Sequence, residues 1–222
     1  MEQFLYYFFN PAVAAKAFGP MWHGFATTLQ MIALIVPLGL ALGLVLAALR
    51  SLRLRLLSGA IIGYVDFFRA VPAVVLMVVA YFGASYLGVN LSGFMTAVII
   101  LVLTLGAFSE EILWGAILAV DTGQWEASRA AGFGFGQTLF YIILPQAARM
   151  AMPPLTSRTI GVLTNTAVAT VISVEEILYA ASQQQGLLAN PTPLTMAAAG
   201  FLAVYLPFVR LSRYLEKRVG AR

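Results

Sequence analysis

The sequence predicts an all-α integral membrane protein with about five transmembrane helices. Its 222 residues are 61% hydrophobic and 10% charged, with a mean hydropathy of +0.89, whereas soluble domains carry about 25% charged residues. Five apolar stretches each supply, with their flanks, roughly the 20 residues that cross a bilayer: 26–49, 70–89, 91–120, 159–172 and 194–209. Residues 1–222 are therefore expected to form a single transmembrane domain.

The basic residues predict how the helices are oriented, because lysine and arginine are enriched in cytoplasmic loops. They form three clusters, after the first span, between the third and fourth, and after the fifth: Arg50, Arg53, Arg55; Arg129, Arg149, Arg158; Arg210, Arg213, Lys217, Arg218 and Arg222. With five spans, all three clusters lie on one side. The N-terminus is then outside and the C-terminus in the cytoplasm, and the net charge of +4 reflects topology rather than nucleic-acid binding.

Several chemistries are excluded by residue counts. The chain has no cysteine and one histidine, His23, so a thiolate metal site or a histidine-based catalytic site is not expected. Its only lysines are Lys16 and Lys217, and no Gly-Lys-Ser/Thr sequence is present to bind a nucleotide phosphate. Residues 1–20 have no basic segment before an apolar run, which argues against a cleaved signal peptide.

The first span contains Gly39 and Gly43, a spacing that favours close helix packing in lipid. The apolar run that follows, residues 56–89, is too long for one straight span. It is interrupted at Pro72, so we expect an interfacial helix at 56–64 and a spanning helix from about residue 70. Asp66 and Arg69 are three residues apart and are predicted to pair, as a gate or as an ion pair at the helix end.

The third span carries two adjacent carboxylates, Glu110 and Glu111. A carboxylate in a span costs roughly 2.5 to 3.5 kcal/mol, so both need a polar interior, a partner or a proton. Glu111 is the candidate for the solute pathway, with an interhelical ion pair as the competing interpretation.

A polar segment at about 121–148 separates the third and fourth spans. Residues 125–131 favour a helix, and Gly132 is expected to end it in a left-handed conformation. A second short helix should follow until Pro145, with Phe133, Phe135, Leu139 and Ile142 packed underneath. Glu126 and Arg129 are spaced either to pair with each other or to contact a partner.

The same segment resembles the "EAA" loop of permease subunits of ABC importers. Glu126, Ala127, Gly132, Ile142, Leu144 and Pro145 stand at the fixed positions of that motif, and Ser128 replaces its third residue. Further segments resemble motifs of the polar amino-acid uptake group of these permeases. The residues that match those motifs are Phe68, Arg69, Pro72; Gly106, Ala107, Glu111, Gly115; Gln146, Ala147, Arg149, Pro153, Pro154, Leu163, Thr166, Val174 and Glu176. Trp114, Thr164 and Asn165 stand where that group has charged residues.

The resemblance implies a type I ABC importer permease fold in the bacterial or archaeal cytoplasmic membrane. It implies that the loop at 126–145 couples the chain to an ATPase through Glu126, Ala127, Ser128, Arg129, Gly132, Leu144 and Pro145. The solute, most simply an amino acid, would pass a pathway that includes Glu111, Thr164, Asn165 and Thr166. Thr166 and Asn165 have a competing interpretation as hydrogen-bonding groups between helices.

The resemblance also implies partners. These are two cytoplasmic ATP-binding subunits, a second permease chain that is identical or homologous, an extracytoplasmic solute-binding protein and membrane lipid. ATP and Mg would bind the partner ATPase, and this chain would hold no cofactor or metal and no catalytic residue. The alternative is a secondary transporter or channel subunit that uses Glu110 or Glu111, which gives the Glu126 motif no purpose.

Overall fold

The computed structural model describes residues 1–220, without the side chains of residues 216 and 218–220. Of the predicted C-terminal basic cluster, Arg222 and the side chain of Arg218 thus lie outside the described part. The first helices are α1 (Glu2–Phe8) and α2 (Pro11–Arg50). Asn10 starts α2, because its Oδ1 accepts from Ala12 N at 3.0 Å and Val13 N at 3.3 Å, and Pro11 suits the first helical position.

The second predicted span is broken, as Pro72 indicates. Helix α3 covers Arg55–Ala70 and α4 covers Ala73–Tyr86, with Val71 extended between them at φ −92° and ψ 127°. The expected interfacial helix at 56–64 was therefore too short by about two turns. The clash of a proline ring acts on the residue directly before it, so the helix continues to Ala70.

The third span is helix α5 (Gly93–Ala119), followed by α6 (Thr122–Ala130). A short helix α7 (Phe135–Gln137) then continues through a π turn (Thr138–Ile143) into α8 (Leu144–Leu163). The expectation that the second short helix ends at Pro145 is wrong. The wider π turn ends at Ile143, two residues before Pro145, and accommodates the ring and the missing N–H of that proline. Gln146 Nε2 donates to Ile142 O at 2.8 Å.

The remaining elements are a 3₁₀ segment (Thr164–Ile172), α9 (Ile177–Leu188) and α10 (Thr192–Gly220). Three helical stretches are long and apolar enough to cross a membrane: Glu2–Arg50, Gly93–Ala119 and Thr192–Leu215. Two broken pairs raise the number to as many as five: Arg55–Ala70 with Ala73–Tyr86, and Phe135–Ile172 with Ile177–Leu188. The all-α fold of about five spans is confirmed, and residues 1–220 contain no β-strand.

The chain divides into two units. Unit 1 comprises Met1–Ile35, Pro72–Leu101 and Gly161–Phe208. Within it, α4 packs on the 3₁₀ segment, and the fully buried Glu176 caps α9 by accepting from Tyr179 N at 2.7 Å. Thr170 Oγ1 donates to the same Glu176 oxygen at 2.7 Å. A Cβ at Gly24 would lie 2.7 Å from the Glu176 carbonyl oxygen, so this close approach of α2 requires glycine.

Unit 2 comprises Val36–Val71, Val102–Ile160 and Val209–Arg222. Gly39 and Gly43 pack closely on Leu105 and Ser109 of α5, which is the close approach that their spacing predicts. The main apolar core of unit 2 joins α2, α5, the π turn and α8, through ten buried residues: Ala47, Leu113, Ala116, Ile117, Val120, Leu139, Ile143, Leu144, Ala147 and Ala151. This core supports the polar segment at 121–148.

Candidate functional site

Helix α6 is held in place at its start and near its middle. At its start, Asp121 Oδ1 accepts from Gly123 N at 2.6 Å, which satisfies a backbone donor of the first turn. Near its middle, the Trp125 ring stacks on Phe135, with 5.6 Å between centroids and an interplanar angle of 24°. Because Phe135 opens the next helix, this contact joins the two arms of the turn.

Gly132 makes the turn between these arms. Its φ of +87° lies in the left-handed region that glycine favours. Gly132 N donates to Arg129 O at 3.0 Å, and Phe133 N donates to Ser128 O at 3.1 Å. These two bonds form a Schellman motif that satisfies the last carbonyls of α6. The predicted left-handed helix end at Gly132 is confirmed.

The seven residues predicted to couple to an ATPase fall into two groups. Glu126, Ala127, Arg129, Gly132 and Pro145 are exposed, so they are free to contact another protein. Ser128 and Leu144 are 7% and 9% exposed and instead support the segment from beneath, where Ser128 Oγ donates to Gln124 O at 2.7 Å.

Glu126 and Arg129 form no ion pair with each other or with any other residue in the described part of the chain. Both side chains line a cavity of about 630 Å³ beside α6, together with Trp114 and Trp125. The local salt bridge that their spacing allows is therefore not formed. Both side chains are thus free of ion-pair partners among the described residues.

The underside of the segment is only partly as predicted. Leu139 is buried and Ile142 packs against the core of unit 2. Phe133 and Phe135 are 39% and 38% exposed, so their expected burial is wrong. The Schellman turn carries Phe133 outward, and Phe135 uses its ring face on Trp125 instead. The buried positions are taken by Ile143 and Leu144, in the π turn and α8.

Both adjacent carboxylates of α5 are paired with arginines. Glu110 is fully buried, and its two oxygens lie 3.1 and 3.2 Å from Arg50 Nη1. The Arg50 guanidinium also lies over the Trp114 ring, 4.9 Å from its centroid. Trp114, which stands where the resembling group has arginine, therefore still contacts a positive charge, now supplied by α2.

Glu111 pairs with Arg69, with 2.6 Å between Oε1 and Nη1. The predicted pair of Asp66 and Arg69 is therefore wrong. Asp66 is exposed and has no ion pair among residues 1–220. The exposed Asp66 carboxylate can stay hydrated, whereas the Glu111 carboxylate on α5 needs a counter-charge. Arg69 therefore pairs with the less hydrated of the two carboxylates. The competing interpretation of Glu111, an interhelical ion pair, is the arrangement observed.

The three polar residues predicted on the fourth span lie at the start of the 3₁₀ segment in unit 1. Thr166 is fully buried and lies 3.0 Å from the Tyr205 hydroxyl, which itself donates to Leu163 O at 2.9 Å. Thr164 is exposed and Asn165 is half-buried, and both side chains donate to Gly161 O, at 2.8 and 3.3 Å. Thr166 thus forms a hydrogen bond between helices, whereas Thr164 is the one of the three residues whose side chain is exposed.

Sequence reasoning missed Arg50 and Tyr205 as members of these networks. Arg50 ends a predicted span and precedes a basic cluster, so its spacing gave no sign that it reaches Glu110. Tyr205 lies within an apolar run and is far in sequence from Thr166. Such pairings depend on which helices are neighbours, and a single helix does not encode that information locally.

Comparison with known proteins decides the family. Residues 39–221 match the family model described as "binding-protein-dependent transport system inner membrane component". This chain belongs to that family.

Relatives of this inner membrane component match it over most of their length. This chain is 34% identical over 172 residues to the probable amino-acid ABC transporter permease protein YckA of Bacillus subtilis (strain 168), and the match covers 78% of this chain and 76% of the relative. The probable glutamine ABC transporter permease protein GlnP of the same organism is 31% identical over 202 residues, with 89% and 93% covered. A crystal structure of an amino acid ABC transporter with histidines superposes with a TM-score of 0.83 at 27% identity, covering 92% and 96% of the two chains.

The family model includes both α6 and the turn at Gly132. The Glu126 motif, which first suggested this family, is thus part of the region that carries the match. The family consists of transport components rather than ATP-hydrolysing subunits, so the expectation of a membrane translocation subunit is confirmed.

Proposed function

We propose that this chain forms the translocation pathway of an amino-acid importer and is driven by a separate ATPase docked on α6 and the Gly132 turn. The observation that carries the proposal is that this segment has one exposed polar face and one buried face. Its exposed face presents Glu126, Ala127 and Arg129, while its buried face is fixed to α5 and α8 by the core of unit 2. A contact that transmits movement needs an exposed surface on a stiff support, and this segment supplies both.

The distribution of charge supports a cytoplasmic position for this segment. By sequence, twelve of the thirteen lysine and arginine residues fall within the ranges of unit 2, and only Lys16 falls within those of unit 1. Since basic residues favour the cytoplasmic side, unit 2 carries the cytoplasmic face of a bacterial or archaeal cytoplasmic membrane protein. The N-terminus is then outside and the C-terminus inside.

The importer complex is proposed to contain two permease chains, identical or homologous, two cytoplasmic ATP-binding subunits and an extracytoplasmic solute-binding protein. ATP and Mg would bind the ATPase subunits, where hydrolysis takes place. An amino-acid solute is supported by the names of the relatives, which include glutamine and L-cystine permeases. Glu111 in unit 2 and Thr164 in unit 1 are each proposed to face the pathway on this chain.

The alternative use of Glu110 or Glu111 as a carrier of protons or cations has little support. Both carboxylates face an arginine, at 3.1 Å and 2.6 Å. Each carboxylate is thus already engaged by an arginine of this chain, and a transported cation would have to displace that arginine.

Co-purification and transport test the proposal. The tagged chain, expressed with its neighbouring genes, should retain an ATPase subunit in detergent, and uptake into proteoliposomes should stop when hydrolysis is blocked with vanadate. Uptake that continues under vanadate, driven by an ion gradient, would reject the proposal in favour of secondary transport.

A further inference from the structure

Arg158 is distinguished from the two paired arginines by its surroundings. Its guanidinium carbon lies 3.3 Å from the centroid of the Phe108 ring, and the side chain is exposed. It forms neither an ion pair nor a hydrogen bond with any residue that the structure describes. Arg158 is thus held by an aromatic face while all its N–H donors remain available.

Charges of both signs lie close to this guanidinium. Arg69 faces the same Phe108 ring at 5.7 Å, and its partner is Glu111 at 2.6 Å. Arg158 interacts electrostatically with both of them. The group of Arg69, Glu111 and Arg158 therefore carries one net positive charge, with a carboxylate among the cations.

The unpaired guanidinium of Arg158 is placed to bind an anion. Arg158 belongs to the stretch Phe135–Ile172, which together with Ile177–Leu188 forms one of the broken spans. Charged groups within such spans face a polar interior and are paired or functional. A carboxylate is a geometric match, because a guanidinium binds it through two parallel N–H donors.

We propose that Arg158, held against the Phe108 ring, binds the carboxylate of the transported solute. This inference rests on the proposed function, and it deepens that function by naming the group recognised. Glu111 pairs with Arg69 through Oε1 and its side chain is still 44% exposed, so the carboxylate can also be reached by the solute's ammonium group. A site with both signs of charge suits an amino acid better than a lipid phosphate, which Glu111 would repel.

The net positive charge also sets a preference among amino acids. A neutral or acidic amino acid gains from Arg158, whereas the side chain of a basic one adds a cation to a positive site. The site should therefore take glutamine and glutamate in preference to arginine.

Equilibrium binding to the purified permease–ATPase complex tests this inference without the solute-binding protein. The probes are radiolabelled glutamine, glutamate and arginine, together with the α-amide of glutamine, which lacks the carboxylate. We expect Arg158→Gln to weaken glutamine binding about 10- to 100-fold. Binding of the α-amide should be unchanged by the substitution, since the group that Arg158 recognises is already missing.

Arg149 gives a matched control on the same helix. It is exposed and lies nine residues earlier in α8, which at about 100° per residue is the opposite side of the helix. Arg149→Gln should leave binding of every probe unchanged. Arg158→Lys, which keeps the charge but loses the planar fork, should weaken glutamine binding less than Arg158→Gln, again without effect on the amide.

Three results would overturn the inference. One is an equal loss of glutamine and amide binding in Arg158→Gln, which would mean that Arg158 serves packing, lipid or the second permease chain. Another is arginine bound as tightly as glutamine. The third is the absence of saturable binding by a complex that still transports glutamine with ATP. In each case vanadate-sensitive transport would leave the proposed function standing, whereas loss of ATP dependence would remove it.

Discussion

The indole of Trp125 and the ring of Phe135 stack across the Gly132 turn, 5.6 Å apart and inclined by 24°. This contact closes a loop of nine intervening residues, 126–134, all exposed except Ser128. We expect this contact to make the two arms of the turn move together, so that a displacement of α6 is passed to the π turn and α8. The exposed surface and its stiff root are the basis of the coupling proposed here.

Removal of either ring should loosen this connection. An aromatic pair contributes about 0.5–1.5 kcal/mol beyond the area it buries. We expect Trp125→Ala and Phe135→Ala each to lower the amount of solute transported per ATP hydrolysed, and the double variant to be little worse than either single variant. Additive losses in uptake and hydrolysis measured together would contradict a joint role for the two rings.

Gly132 and Gly136 can be compared because they differ mainly in backbone conformation. Neither Gly132 nor Gly136 has another atom within 4 Å of an added Cβ, but only Gly132 has a positive φ, +87°. A β-branched residue in the left-handed region is strained by roughly 1–3 kcal/mol.

Gly132→Val should therefore uncouple ATP hydrolysis from uptake while the chain still inserts into the membrane. Gly136→Val is the control and should retain most of the coupling. Uptake and hydrolysis in proteoliposomes measure both effects, and normal coupling in Gly132→Val would show that the turn geometry is not needed.

The two adjacent carboxylates of α5 should differ in their effect on stability. The side chain of Glu110 is 0% exposed in its pair with Arg50, whereas that of Glu111 is 44% exposed in its pair with Arg69. Breaking a buried pair by removing one partner costs about 3–5 kcal/mol, and an exposed pair about 0–1 kcal/mol.

Glu110→Gln should therefore lower the thermal unfolding temperature in detergent much more than Glu111→Gln. A Glu110→Gln, Arg50→Met double variant should recover part of the loss, because no unpaired charge remains buried. Equal shifts for the two single variants would be inconsistent with the burial seen here.

The bond between Thr166 and Tyr205 separates a structural role from a role in the pathway. Interhelical hydrogen bonds in membranes contribute about 0.6 kcal/mol on average. Thr166→Val and Tyr205→Phe should each lower thermal stability slightly and leave the ranking of solutes in uptake unchanged. Thr164→Val, at the exposed neighbour, should alter uptake instead. A changed solute ranking in Thr166→Val would place that residue in the pathway.

Proline and glycine positions in the sequence predicted the features of the fold that depend on only one or two residues. The break before Pro72, the left-handed end at Gly132 and the packing at Gly39 and Gly43 each follow from the backbone or size of one or two residues. These features could be predicted because no distant part of the chain decides them.

Pairings between helices could not be predicted in the same way. Arg69 has Asp66 within its own helix and still pairs with Glu111 of α5. Glu126 has Arg129 one turn away and pairs with no described residue. The cost of leaving a charge without water decides between such partners, and that cost depends on burial, which the sequence around each residue does not reveal.

Site-specific cross-linking tests the coupling surface most directly, because the chain contains no cysteine. Single cysteines at Glu126 and Arg129, with His23 and Glu175 of unit 1 as controls, would be cross-linked in membranes that hold the whole importer. The proposed function predicts a product with the ATPase subunit from positions 126 and 129, changed in yield by ATP and vanadate, and none from positions 23 and 175. A product from positions 23 and 175 but not from 126 and 129 would contradict it.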